Sequence, residues 1–128
     1  MRSMACARGL AGLAAAASLG MTAPAPALAH TDLEPAFGNT VVSEYPDGGW
    51  VRHWFEPDGR YRALFSSGRE ISGRWRVEGD RICLNDITPS IMMIRRFCTP
   101  MIEGEVGARW SSRDPLGRRV TNQLVRGR

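Results

Sequence analysis

Ile71-Ser72-Gly73-Arg74-Trp75-Arg76-Val77 alternates without a break. Ile71, Gly73, Trp75 and Val77 fall on one face, and Ser72, Arg74 and Arg76 fall on the other. A period of two predicts a strand with one dry and one wet face, the pattern of antiparallel sheets. The run before it repeats the design, with Tyr61, Ala63 and Phe65 opposite Arg60 and Arg62. Further on, Val106, Ala108 and Trp110 alternate with Gly107, Arg109 and Ser111. No stretch after Ala29 carries an apolar stripe at helical spacing.

Working outward, turn signals punctuate the chain: Pro46-Asp47-Gly48-Gly49, Pro57-Asp58-Gly59, Ser66-Ser67-Gly68, Glu78-Gly79-Asp80, Thr88-Pro89-Ser90, Glu103-Gly104 and Asp114-Pro115-Leu116-Gly117. Gly, Pro and Asp supply the backbone conformations that short hairpins need. Between them lie eight runs of strand length, 39–45, 50–56, 60–66, 70–77, 80–86, 92–98, 106–112 and 118–126. Connections this short make sequence neighbours sheet neighbours. The prediction is an all-β, eight-stranded antiparallel up-and-down barrel over 39–128, because closure removes exposed edges. The alternative is a two-sheet β-sandwich of the same strands. The inward set is Phe55, Tyr61, Phe65, Trp75, Ile82, Leu84 and Trp110. Rings that bulky in a short barrel leave little room, which argues against a deep lipocalin-like cavity and leaves at most a shallow site at one mouth.

Residues 1–29 read differently. Arg2 and Arg8 precede the apolar Leu10–Met21, and Ala27-Leu28-Ala29 places small residues at a cleavage site. This is the layout of a secretory signal peptide, too short in its apolar part to span a bilayer. Cleavage after Ala29 leaves an arm over 30–38 and then the barrel, in a periplasmic or secreted location. Arg2 and Arg8 leave with the leader, so the net charge falls from +4 to +2. The remaining arginines are dispersed among apolar residues, which excludes a clustered nucleic-acid footprint. Nothing points to an oligomer, so a monomer is expected. Cys83 and Cys98 remain, and an oxidising compartment joins an even count. A hairpin with its tip at Ser90–Ile91 sets the two cysteines opposite each other, within disulfide range.

Catalytic signals are missing. The chain has two histidines and none of the nucleophile-elbow, zinc-protease or phosphate-loop motifs. The acids sit mostly at turns, and no residue is singled out as catalytic. Cleavage would make His30 an N-terminal histidine, which with His53 could offer three nitrogens to copper, in an arrangement similar to the histidine brace of copper monooxygenases. Trp50, Arg52 and Trp54 share one face of the second run. With Phe55 and Tyr61 inside, they form an outward aromatic and arginine patch of the kind that serves binding. Ile91-Met92-Met93-Ile94 is the most apolar stretch; it reads as a core strand or, if exposed at a mouth, as a grip for an apolar partner through Met92 and Met93.

Ala36-Phe37-Gly38-Asn39-Thr40, Tyr45-Pro46-Asp47-Gly48, Phe55-x-x-Asp58-Gly59-x-Tyr61, Gly73-Arg74-Trp75-x-Val77-x-Gly79-Asp80-x-Ile82-Cys83-Leu84 and Cys98-Thr99-Pro100 together resemble a group of small secreted bacterial proteins without an assigned function. The architecture is more distantly similar to small calycin-like barrels, which include lipocalins and secreted protease inhibitors with one disulfide. Lipocalins carry Gly-x-Trp in the first strand, whereas here it lies in the fourth run, and no functional residue carries over. The reading is an exported, non-catalytic binder of a small apolar molecule or of an envelope protein. The alternatives are a hydrolase inhibitor, presenting His30–Phe37 or Ile87–Ile91, and a copper binder.

Overall fold

The computed structural model describes residues 29–102 and 104–128, and Gly20 by itself, with side chains from Leu33 onward. The leader read over 1–29 therefore lies almost wholly outside the described residues. A 3₁₀ segment, Ala29–Ala36, leads into eight strands: β1 Thr40–Glu44, β2 Trp50–Phe55, β3 Arg60–Phe65, β4 Glu70–Glu78, β5 Arg81–Thr88, β6 Phe97–Pro100, β7 Arg109–Arg113 and β8 Arg119–Val125. All pair antiparallel in one sheet of order β6-β5-β4-β3-β2-β1-β8-β7. The meander thus wraps round until β8 pairs with β1, and the barrel is closed except for a seam between the edge strands β6 and β7. The barrel expected from the sequence is the fold.

One loop is used four times. Residues 45–49, 56–60, 65–69 and 114–118 each close with two backbone bonds. In the first, the Gly48 N–H donates to the Tyr45 carbonyl and the Tyr45 N–H to the Gly49 carbonyl. This is a type I turn followed by a left-handed residue, and Gly48, Gly59, Gly68 and Gly117 all have positive φ there. Pro or Ser leads each turn, which is why the sequence signalled these four so clearly.

The fifth and sixth runs need correction. A bulge interrupts the β4–β5 ladder between Ser72 and Arg74, with Asp86 on β5 at φ 51°. The extra residue shifts parity, so Ile82 and Leu84 face inward before it and Ile87 after it. Gly73 sits against this bulge, and a β-carbon there would lie 2.7 Å from the Asn85 carbonyl oxygen. The stretch 91–94 is not strand. Ile91 and Ile94 exchange both backbone bonds, and Met92 and Met93 turn the chain at φ 48° and 68°. Strand β6 starts only at Phe97, but the register holds: Cys83 pairs with Cys98 and the two form a disulfide.

The first residues after Ala29 are no loose arm. Leu33 is wholly buried and Ala36 nearly so, both within the core cluster at the end of the barrel where β1 begins. Phe37 packs on Trp75, ring centroids 5.8 Å apart, and the Trp75 indole donates to the Glu56 carbonyl. Trp75, on the inward face with its partner Leu84, therefore helps close this end and does not line the cavity. The C-terminal residues clasp the same end. The Gly127 carbonyl accepts from Thr40 Oγ1, the Gly127 N–H donates to Asn39 Oδ1, and Arg128 pairs with Glu56. Replacing Leu33 by Ala empties part of this plug and is expected to cost about 3 kcal/mol. Urea unfolding checks it, and a cost below about 1 kcal/mol would place Ala29–Ala36 outside the cooperative core.

Candidate functional site

The inward residues of each strand follow from the alternation: Val41 and Ser43 on β1, Val51, His53 and Phe55 on β2, Tyr61 and Phe65 on β3, Trp110 and Ser112 on β7, Val120 and Asn122 on β8. They do not fill the barrel. A cavity of about 160 Å³ remains, lined mostly by apolar side chains and reaching from Phe55, Ile82 and Ile102 to the opposite mouth. At that mouth it is rimmed by Tyr45, Met92, Leu116 and Arg118, from the connections 45–49, 89–96 and 114–118. The expectation of no more than a shallow mouth site is corrected, since the cavity runs the length of the barrel. Trp75 packs with Phe37 at the plugged end, outside the lining, and small residues at inward positions (Ser43, Ser112) leave the space.

A chain of polar side chains crosses the interior wall. Tyr61 OH lies 2.7 Å from His53 Nδ1, and His53 Nε2 lies 2.9 Å from Ser43 Oγ. Ser43 Oγ donates to Asn122 Oδ1 at 2.6 Å, and Asn122 Nδ2 donates to Ser112 Oγ at 2.8 Å. The directions follow from the Asn122 amide, whose Oδ1 faces Ser43 and whose Nδ2 faces Ser112, together with proton counting. Ser43 has one proton and gives it to Asn122, so it accepts from His53 Nε2–H. Nδ1 is then the bare nitrogen and accepts from Tyr61. Among the described residues, no buried side-chain nitrogen or oxygen is left without a partner.

The electrostatics suit a neutral row. Burial pulls the His53 pKa from 6.5 down to about 4. The ring keeps some accessible surface only because it faces the cavity. Burial, reinforced by Tyr45, pushes the Tyr61 phenol above its ordinary value. No carboxylate touches His53 among the described residues, and Ser43 receives a hydrogen bond from it where a nucleophile would surrender a proton.

The rim is the charged part. Asp114 Oδ2 pairs with Arg118 Nε at 2.8 Å, and its Oδ1 accepts from the Leu116 and Arg118 N–H groups. The Arg118 guanidinium lies 4.8 Å over the Tyr45 ring. Burial pushes the Asp114 carboxyl up, but the Arg118 N–H and guanidinium outweigh it and hold it below the usual range.

The residues expected to act are scattered. Trp50, Arg52 and Trp54 lie on the outer wall of β2, as the alternation implied. Arg52 stacks 4.7 Å over Trp50, Arg62 stacks 5.0 Å over Trp54, and the Trp54 indole donates to Thr40 Oγ1. This patch is separate from the cavity. Met92, 67% exposed, lines the mouth, while Met93, 91% exposed, is outside the cavity lining. His53 makes a poor copper ligand, since both ring nitrogens are already bonded. The side chain of His30 lies outside those described. The metal-like group Glu78, Cys83 and Cys98 consists mainly of the two disulfide sulfurs. The sequence reading missed Ser43, Ser112, Asn122, Tyr45, Asp114 and Arg118; for the first three the available signal was a polar residue at an inward position of an apolar face.

Comparison of the chain with protein-family models, with curated proteins and with solved structures finds no match. The geometry alone carries the functional argument.

A base whose pKa is lowered by folding stabilises the fold fully only above its unfolded value. The unfolded chain takes up a proton at His53 near pH 6.5, and the barrel does so only near pH 4. Stability is therefore expected to fall as pH drops from about 6.5 to about 4, by up to about 3 kcal/mol. Urea midpoints across that window check it; His53→Gln should flatten the slope, and an unchanged slope would remove His53 as its source.

Proposed function

We propose that this protein is an exported, monomeric, non-catalytic barrel that binds one small apolar molecule in its interior. The observation that carries the reading is the cavity of about 160 Å³, apolar over most of its lining and open at one end. Cavities of about 150 Å³ walled by aliphatic and aromatic side chains hold benzene. The size thus suits a single ring or a short chain, and a longer guest would emerge past Met92 and Leu116. Exposed apolar side chains at a pocket entrance ease the passage of such a guest out of water. Export is supported by the leader read over 1–29 and by the Cys83–Cys98 disulfide. Among the described residues no helix is long and apolar enough to cross a membrane.

Of the two segments offered by the inhibitor reading, the first is packed through Leu33 and Ala36, while Ile87–Ile91 leads to the exposed Met92 and Met93. Toluene is the simplest probe of the binding reading. A guest that binds only the folded state raises the unfolding temperature with concentration. Toluene is expected to do so for the native chain and to lose the effect, at least tenfold in apparent affinity, in Val120→Phe, which sets a ring into the cavity from its wall. A melting temperature unmoved by saturating toluene would overturn the reading.

A further inference from the structure

The hydrogen-bond row inside the barrel has a beginning and an end. Tyr61 starts it as a donor, and each inner member passes on a proton of its own. Ser112 ends it. Its oxygen accepts from Asn122 Nδ2, and among the described residues nothing accepts its hydroxyl proton. Ser112 lines the cavity on edge strand β7, beside the seam with β6. The interior is therefore a largely apolar space whose wall carries this polarised donor, with the Thr99 hydroxyl of β6 also in its lining. Ser112 is half-buried, so a hydrocarbon guest that drives water from it and leaves the donor unmet loses about tenfold in affinity, whereas an acceptor opposite it recovers that loss. Hydrogen bonds in series polarise one another, which makes the last hydroxyl a better donor than an isolated serine.

We infer that the natural guest is a carbonyl compound: an apolar ring or short chain whose ketone, aldehyde, ester or amide oxygen accepts from Ser112 Oγ. The inference rests on the reading of the barrel as a binder of apolar guests and adds the chemical class. A carboxylate guest fits less well. The cations lining the cavity, Arg113 and Arg118, lie at its mouth, and Arg118 is already paired with Asp114. A hydrocarbon fits the space but leaves the donor unmet.

The test uses acetophenone and α-methylstyrene, which share one shape and differ only in C=O against C=CH₂. Acetophenone is labelled at its carbonyl carbon, and that resonance is read in the bound state. In the native protein it should move downfield of its position in hexane, as a hydrogen-bonded carbonyl does. Ser112→Ala should return it toward the hexane position and weaken acetophenone about tenfold. The same variant should leave α-methylstyrene within about twofold, and Ser112→Thr, which keeps the hydroxyl, should restore the shift. A hexane-like resonance in the native protein, with both compounds bound, would overturn the carbonyl assignment and leave the apolar cavity standing. That outcome needs no variant to fold. If neither compound binds, the binding reading falls and takes the inference with it.

Discussion

Everything in this barrel turns on the need to partner polar atoms that have left water. Tyr61, His53, Ser43, Asn122 and Ser112 come from β3, β2, β1, β8 and β7, five strands in a row around the wall. Ser43 and Asn122 are directly opposed in the β1–β8 ladder, while the other links run diagonally to the next position. Slipping any of these ladders by one residue would turn a member outward and strand its neighbour. A two-residue slip keeps the apolar face inward and exchanges one aliphatic side chain for another with modest loss, but it breaks this row as surely. The row thus fixes the register of five strands, and it does so on the side of the barrel where closure occurs. It also keeps the interior neutral, because burial opposes charge on both His53 and Tyr61.

Much of the fold was legible because its elements are local. The alternation over 71–77 and 60–65 placed the inward faces, and the Pro-Asp-Gly turns set the hairpins. The disulfide pairing followed from one hairpin register. What stayed hidden was non-local. The bulge at Asp86 changes which residues of β5 face inward, and its partner Gly73 looked like an ordinary member of an alternating strand. Met92-Met93 resembled strand because both are apolar. They hold a turn in the left-handed region that Asn and Gly usually occupy, at a cost of roughly 1–2 kcal/mol each. The apolar neighbours Ile91 and Ile94, bridged to each other and lining the cavity, offset that cost.

The site was less legible than the fold. Bulky residues at inward positions argued against a deep cavity, and only the packing of Trp75 with Phe37 at the plugged end shows why space remains. His53 was visible as one of two histidines, but its partners are brought to it by register across three ladders. No spacing in the sequence joins Ser43 to Asn122. Conversely, the Trp50, Arg52 and Trp54 patch was placed on the correct face, yet it pairs with its own arginines and lies away from the cavity.

The pairing of β1 with β8 carries a further consequence, for the order of events along the chain. Thr40 and Gly127 are bonded across 87 residues. Until β8 is available, β1 has an open flank, Ser43 has no acceptor and the polar row is cut at its middle. The hairpins from β1 to β6 join neighbours, whereas this ladder joins the first strand to the last, at a loop entropy close to the largest the chain offers. The two ends of the meander are thereby bound to each other, and the polar row spans the joint.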